Sequence, residues 1–360
     1  MRAWPWVVGA AAILAASAAA AFAYRGEIAT RLMERAARDG VGASLAQNLP
    51  DGLHAVFCGT GSPLPDRTRA GPCLAVMAGE RVFVFDAGEG AAETLALMGV
   101  NVGAIEAAFL THLHSDHFDG LAPLALQHWA MASSTAPLLV IGPTGVARVA
   151  AGLNEAYAID AAYRTGHHGP EIMPPSGAGL RAEEFAPPQQ DGHTIVLRDD
   201  GGVRILAFRV DHAPTDAVGY RIEYAGRSIV ISGDTSRSAS LTAAARGADL
   251  LVHEAISPRL DQIMHDATVA AGRQNLGAIF HDILDYHTSP EDAGAVAQEA
   301  GVGALALTHF LPQTPIPGLI STFVRDAKTT YDGPVYAMRD GDVISLPRDG
   351  GMRRANHLRF

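Results

Sequence analysis

Short apolar segments bounded by glycine and proline run through the chain from residue 53 onward, a pattern typical of β-strands separated by turns. The first half gives three strands, then a helix, a strand and a further helix. The second half restarts with four closely spaced strands, an antiparallel meander by their spacing, followed by alternating helices and strands. The patterns predict one α/β domain with two sheets packed face to face and helices outside. The strand segments that carry this pattern are LHAVFCG, CLAVMAG, RVFVFDAG, AAFLT, APLLVIGP, HTIVLRD, VRILAFRVD, GYRIEYAG, RSIVISGD, DLLVHEA and ALALTHF.

Helical spacing of apolar residues predicts helices in several segments between the strands. LAPLALQHWAMA and TGVARVAAGLNEAY read as helices, and a long helical region is predicted near residues 258 to 280. Residues 159 to 192 contain several prolines and are predicted to be a loop. The globular domain is expected to cover residues 53–348.

The N-terminal segment is apolar and differs from the rest of the chain. Residues 3 to 24 carry no charge, and 22 residues at about 1.5 Å each are enough to cross a hydrocarbon core of about 30 Å. Ala21-Phe22-Ala23 also fits the end of a cleavable signal peptide. We therefore expect residues 1–24 to be a signal peptide or membrane anchor, residues 25–52 a linker helix, and the domain to be exported (periplasmic) or membrane-anchored. One arginine, Arg2, precedes the segment and four follow it closely. By the positive-inside rule this distribution favours a cytoplasmic domain, which leaves the orientation open.

The charge of the chain bears on its partners. The 360 residues carry a net charge of −11, with no basic run, which argues against a nucleic-acid partner bound through a basic face. Histidine is abundant, with 15 residues.

Cys58 and Cys73 lie 15 positions apart, each at or near a predicted strand; a cross-strand disulfide and two separate buried thiols both fit this spacing.

Histidines and aspartates concentrate where one predicted strand ends and a helix begins. THLHSDHFDG, residues 111 to 120, holds three histidines and two aspartates. Strand ends are the usual place for sites in α/β proteins. A histidine or a carboxylate residue also stands at the end of four further predicted strands: His212, Asp234, Glu254 and His309. This recurrence indicates one site that draws on several strands.

HLHSDH resembles the HxHxDH signature of the metallo-β-lactamase superfamily, and the later His, Asp and His follow in that superfamily's order. The closer likeness is to the ribonuclease Z and arylsulfatase branch. It rests on CGTGSPLPDRTRAGPC, FDAGEG, THLHSDH, VDHAP, VGYRIEYAGRSIVISGDT, HEA, YHTSPEDAG and LTHF, and covers most of residues 53 to 346. The resemblance implies an α/β fold with a four-layer αββα sandwich and metals at one edge between the sheets.

The resemblance also implies a dinuclear metal site. One ion would be held by His112, His114 and His212. The other would be held by Asp116, His117 and His309, with Asp234 bridging the two. Two divalent ions are expected; imidazole and carboxylate suit Zn²⁺, and Mn or Fe also accept them. Such a pair activates a water molecule as hydroxide near neutral pH.

Asp116, Glu254 and His287 are expected to take part in catalysis. His287 in YHTSPEDAG matches an additional active-site histidine of the branch, which would protonate the leaving oxygen or stabilise the charged transition state. The alternative for His287 is a cap on the following helix. Asp86 and Glu254 match carboxylates that orient ligand or catalytic histidines.

The substrate is predicted from what the chain lacks. Ribonuclease Z enzymes carry an arm for tRNA between the third histidine and the bridging aspartate, whereas only 21 residues separate His212 from Asp234. We therefore expect a small anionic ester, a phosphodiester or aryl sulfate, as substrate and no nucleic-acid partner. A lactonase or thioesterase activity is the alternative. A membrane contact through an uncleaved N-terminal segment and a homodimer are both compatible with the sequence. In and beside the predicted loop, Arg164, His167 and His168 are candidates to bind a phosphate or sulfate, and Tyr157 or Tyr163 an aryl group. The alternative is a surface lid that does not contact the substrate.

Overall fold

The computed structural model of the protein describes residues 4–42 and 44–358, so Arg2 lies outside the described residues. By its internal contacts the chain forms two compact units, Met1–Ser44 and Leu45–Phe360. The second unit begins with the buried Leu45, several residues before the first strand.

The N-terminal unit contains two helices, α1 (Trp4–Ala23) and α2 (Arg25–Gly40). The described side chains of α1 are exposed, and α2 combines apolar residues with four arginines. Among the described residues, no single helix has both the length and the apolar composition needed to cross a membrane. The two helices meet that requirement only as a pair, with a bend of 67° between them. A signal or anchor function for residues 1–24 remains a prediction.

Two β-sheets make up the centre of the second unit. An eight-stranded sheet has the order β15-β14-β1-β2-β3-β4-β5-β6, and a seven-stranded sheet has the order β13-β12-β11-β10-β9-β8-β7. The strands are β1 (Gly52–Gly59), β2 (Cys73–Ala78), β3 (Arg81–Phe85), β4 (Ile105–Phe109), β5 (Leu138–Pro143), β6 (Leu180–Phe185), β7 (Thr194–Asp200), β8 (Val203–Arg209), β9 (Val218–Tyr224), β10 (Arg227–Ile231), β11 (Leu250–Ile256), β12 (Leu305–Leu311), β13 (Val335–Ala337), β14 (Asp342–Pro347) and β15 (Arg353–Asn356).

Eight helices accompany the sheets in the described part of this unit. They are α3 (Ala91–Leu97), α4 (Leu121–Ala132), α5 (Val146–His168), α6 (Ala239–Ala245), α7 (Pro258–Ala270), α8 (Gln274–Asp282), α9 (Pro290–Ala300) and α10 (Ser321–Ala327).

The sheets pack face to face, and helices cover their outer faces. Between the sheets, Tyr220 of β9 packs on Phe85 and Phe109, with ring centroids 5.1 and 5.7 Å apart. Apolar residues of α3, α4 and α5 pack on the outer face of the first sheet, and those of α6, α9 and α10 pack on the second. This arrangement confirms the four-layer αββα sandwich expected from the sequence.

The strand directions decide where the site lies. Strands β3 to β6 run parallel, and so do β10 to β13. Central strands such as β2 and β11 are buried along their whole length, which explains the continuous apolar sequence of β2 and makes His253 and Glu254 of β11 buried polar residues. Because the carboxyl ends of parallel strands lie at one edge of a sheet, Asp234 after β10, Glu254 near the end of β11 and His309 near the end of β12 lie side by side.

The prediction of a loop over residues 159 to 192 was wrong in two places. Helix α5 continues to His168 and ends at Gly169, directly before Pro170, and β6 occupies Leu180–Phe185. The extended half of the helix is mostly solvent-exposed and has no apolar stripe, so periodicity gave no signal there. Its many alanines are good helix formers, and a single Gly166 does not break it.

The two cysteines form a disulfide. Cys58 and Cys73 join the end of β1 to the start of β2, with Cα atoms 5.0 Å apart. The bond closes the connection between these strands, residues 60–72, and Pro72 at its end lines the same cavity as His117 and Asp234 of the site described below.

Candidate metal centre

The histidine-rich segment lies directly on the turn that follows β3. A Cβ atom at Gly88 would overlap with the carbonyl oxygen of Asp116, and one at Gly120 would overlap with the carbonyl oxygen of Gly88. The amides of Ala87 and Gly120 are hydrogen-bonded across the same contact, to His117 and Ala87 respectively. The glycines of FDAGEG therefore allow the backbone that carries the histidines to pack against this turn.

Asp86 anchors the histidine-rich segment through hydrogen bonds. Its carboxylate accepts hydrogen bonds from the Thr111 amide at 2.8 Å, the Thr111 hydroxyl at 2.9 Å and His117 Nδ1 at 2.9 Å. Asp86 itself has φ of +56°, a conformation that non-glycine residues rarely adopt. The strained backbone aims the carboxylate at the two residues that it orients.

Three predicted ligands form a first group. His112 Nε2 lies 2.9 Å from His114 Nδ1, and His212 Nε2 lies 3.3 Å from the same atom. His112 and His212 are buried, whereas His114 is exposed. These three nitrogen atoms converge on one point.

The other predicted ligands form a second group. Asp116 Oδ2 lies 3.5 Å from His117 Nε2 and 3.4 Å from His309 Nε2. Asp234 lies between the groups, with Oδ2 at 3.2 Å from His117 Nε2, 3.3 Å from His309 Nε2 and 3.9 Å from His112 Nε2. The structure thus brings all seven predicted ligands together, with Asp234 in contact with both groups.

The hydrogen bonds outside the cluster decide which ring nitrogens face inward as acceptors. His117 Nδ1 donates to Asp86, and His212 Nδ1 donates to the carbonyl oxygen of Tyr286 at 2.9 Å. The Nε2 atoms of both rings therefore face the inside of the cluster, where the other predicted ligands lie. Imidazole nitrogens and carboxylate oxygens that converge in this way are donors that divalent metal ions bind, so the donor set fits such ions.

The protonation states of His112, His212 and Asp234 suit metal binding. Burial lowers the pKa of His112 and of His212, which makes both imidazoles neutral at pH 7, the form that binds metal. Burial alone would raise the pKa of Asp234, but His309 and His117 hold that pKa well below its usual range. Asp234 is therefore an ionised carboxylate at pH 7.

His287 and Glu254 form a separate pair at the border of the cluster. His287 Nδ1 lies 2.9 Å from Glu254 Oε1, which also accepts from the amides of Thr235 and Thr288. A ring nitrogen of His287 lies within 4.8 Å of Asp234 and His212. The helix cap that was the alternative role for His287 is supplied by Ser289, whose hydroxyl accepts from the Asp292 amide of α9.

The aromatic and basic residues predicted to bind substrate lie elsewhere. Tyr157, Tyr163, Arg164, His167 and His168 all belong to α5. Arg164 pairs with Asp160 one turn before it at 2.7 Å. In the described part of the chain, none of the five makes a hydrogen bond, ion pair or ring contact with the metal-binding cluster.

Sequence reasoning missed Tyr286. Its ring lies 5.1 Å from the ring of His212 and 5.0 Å from that of His287, measured between centroids. Its only signal in the sequence is its position directly before His287.

Comparison with known proteins agrees with the fold and the cluster. The family model for the beta-lactamase superfamily domain matches residues 81–310. A ribonuclease Z of Mycobacterium bovis is 37% identical over 292 residues, which are 80% of this chain and 96% of that protein. The chain belongs to the metallo-β-lactamase superfamily, in its ribonuclease Z branch. Members of this superfamily bind divalent metal ions, as the donor set here requires.

Two solved structures share the fold. Human tRNase Z, short form, is 24% identical with a TM-score of 0.58, and covers 82% of this chain and 99% of that one. The metallo-beta-lactamase fold protein YhfI from Bacillus subtilis is 20% identical with a TM-score of 0.56, over 82% of this chain and 100% of that one.

The comparisons overturn the predicted substrate and partner. A small anionic ester with no nucleic acid was expected, yet relatives that match over almost their whole length are named ribonuclease Z. The short connection between His212 and Asp234 is present, as the hairpin of β9 and β10, but it is a poor guide to substrate. The net charge of −11 sums the whole chain and does not describe the surface around the metal site.

Proposed function

We propose that the protein is a ribonuclease Z-type enzyme that hydrolyses a phosphodiester bond of a tRNA precursor with the help of divalent metal ions. The observation that carries this proposal is the 37% identity to ribonuclease Z over 96% of that protein's length. The converging cluster of seven histidines and aspartates supports it, because metal-assisted hydrolysis needs such a site.

Two ions are proposed at the cluster. His112, His114 and His212 would hold one, and Asp116, His117 and His309 the other, with the Asp234 carboxylate shared between them. Five imidazoles and two carboxylates favour Zn²⁺, and Mn²⁺ or Fe²⁺ accept the same donors. When bound, such a pair lowers the pKa of a water molecule and offsets charge on the reacting phosphate.

The protein's own residues supply orientation and a proton. Asp86 and the Tyr286 carbonyl fix the rings of His117 and His212 through their Nδ1 atoms. Burial alone would lower the pKa of His287, but the adjacent Glu254 carboxylate raises that pKa to about 9. His287 is therefore protonated at pH 7, and it would donate its proton to the ribose oxygen that leaves the phosphorus.

The test compares substrates on the purified protein supplied with Zn²⁺ or Mn²⁺. Precursor tRNAs with 5′ or 3′ extensions, mature tRNA, bis-nitrophenyl phosphate and nitrophenyl sulfate are incubated with the wild type and with Asp234→Asn. We expect cleavage at one position of an extended precursor, lost in the variant. Hydrolysis of nitrophenyl sulfate without any cleavage of precursor tRNA would contradict the proposal.

A further inference from the structure

The hydrogen bond that Tyr286 makes to the metal-binding cluster comes from its backbone and not from its side chain. The carbonyl oxygen of Tyr286 accepts the hydrogen bond from His212 Nδ1, so any residue at this position keeps that contact. The phenol ring itself contacts two imidazoles, in a T-shaped arrangement with His212 at an interplanar angle of 78° and tilted by 46° to His287. Only the ring of His212 therefore separates the phenol ring from the metal-binding cluster, where a scissile phosphate would lie.

The ring belongs to an apolar wall beside the site. It packs, half-buried, on a small cluster that is separate from the cores of the sandwich. Leu64 reaches the same cluster from the connection between β1 and β2 that the disulfide closes, and Leu284 reaches it from the segment before Tyr286. The buried members are Ile256, Phe280, Ile283 and Leu311.

We propose that Tyr286, together with Leu64 on the same apolar cluster, forms a subsite for the nucleobase next to the scissile phosphate, with the base stacked on the phenol ring. This inference rests on the proposed function and names how its RNA substrate is positioned. A base is joined to its phosphate through a single ribose, so a base beside a phosphate at the cluster lies within reach of a ring 5.1 Å from His212. Stacking on an aromatic face tolerates every base, which suits an enzyme acting on many tRNA sequences.

The test separates stacking from a structural role of the tyrosine. Tyr286→Phe, Tyr286→Ala and the control Tyr163→Ala, an exposed tyrosine of α5 (65%), are compared with the wild type. Each is assayed on a cleaved precursor RNA and on matched RNAs in which either nucleotide flanking the cleavage point lacks its base. Metal content is measured for every variant.

For the wild type we expect one of the two abasic RNAs to show a KM raised by about tenfold, the size of a lost base–aromatic stack. Tyr286→Ala should raise the KM for the intact RNA by a similar factor and lose the difference between intact and abasic RNA. Tyr286→Phe and Tyr163→Ala should behave like the wild type, and all variants should keep their metal.

Two results would overturn the subsite alone. In the first, Tyr286→Ala cleaves intact RNA with an unchanged KM. In the second, its KM rises by the same factor on intact and abasic RNA, or its metal content falls, as expected of a structural residue. If the wild type cleaves no precursor RNA, the proposed function fails and the subsite falls with it.

Discussion

Glu254 Oε1 lies 2.9 Å from His287 Nδ1 and holds the imidazole at the border of the metal-binding cluster. Both side chains are almost fully buried, and the two amides that also donate to Glu254 Oε1 fix the carboxylate. The pair therefore offers a positioned proton at the site without taking part in the seven-residue cluster.

His287→Ala should retain metal and lose activity selectively. A ribose oxygen leaves poorly without a proton, whereas nitrophenolate needs little help, and positioned acid catalysis contributes roughly 10²- to 10⁴-fold. We expect kcat on precursor RNA to fall by about that factor and kcat on bis-nitrophenyl phosphate to fall much less. Equal losses on both substrates would instead indicate that His287 stabilises charge on the transferring phosphate.

Glu254→Gln should shift the alkaline limb of the pH–rate profile. The Glu254 carboxylate raises the pKa of His287 to about 9 against the effect of burial, so the protonated imidazole is present below that pH and is lost as pH rises through it. Glutamine keeps the hydrogen-bond acceptor but removes the charge. The limb should move to lower pH in the variant, and an unchanged limb would show that another group sets it.

Asp261→Asn should stabilise the protein at neutral pH. Asp261 is 1% exposed, and neither carboxylate oxygen has a hydrogen-bond partner among the described residues. Burial raises its pKa to about 6, while His265 and His281 oppose the shift. Between pH of about 4, the usual value in unfolded chains, and about 6, the folded protein keeps a proton that the unfolded chain has lost.

The free energy of unfolding therefore falls as pH rises through this range and stays lower above it. In urea unfolding at pH 7.5, Asp261→Asn should be more stable than the wild type by about 1 kcal/mol, with a smaller difference at pH 5. The control Asp199→Asn, at an exposed position on β7, should change little at either pH. A less stable Asp261→Asn protein at pH 7.5 would mean that the carboxylate has a stabilising partner.

Removal of the N-terminal unit should leave the chemistry intact. A chain beginning at Leu45 retains the whole second unit, so we expect the same metal content, thermal midpoint and kcat/KM as for the full chain. A chain beginning at Leu53 should be less stable by about 2 kcal/mol, because it lacks the buried Leu45 side chain and the hydrogen bond from the Leu45 amide to Gly99. Loss of metal from the longer of the two chains would show that the helices support the site.

The strand patterns predicted eleven of the fifteen described strands and two sheets packed face to face, and the resemblance to the metallo-β-lactamase superfamily implied the αββα sandwich. Helix α4, Leu121–Ala132, has the bounds that its sequence pattern indicated. His112, His212 and Asp234 follow buried strands as predicted, whereas His309 lies within β12. The prediction failed for the second half of α5, because an exposed alanine-rich helix has no apolar face that periodicity can detect.

The substrate could not be read from the same signals. Net charge is a sum over 360 residues, and chain length between two ligands describes one hairpin, so neither reports the surface that meets a substrate. Tyr286 was missed for a similar reason. His212, whose ring contacts it, and Leu64, which packs on the same cluster, are distant in sequence and are brought near it only by the fold.

The most direct test of the account is the cleavage of precursor tRNA by the wild type and by Asp234→Asn, with metal content measured on the same samples. Asp261→Asn, which lies outside the cluster, is the matched control. We predict about two divalent ions per wild-type chain and cleavage at a single position, both kept in the control. In Asp234→Asn, metal should be reduced and cleavage should fall by at least about a hundredfold. Full cleavage by metal-free protein, or a metal-loaded wild type that leaves every precursor tRNA intact, would contradict the account.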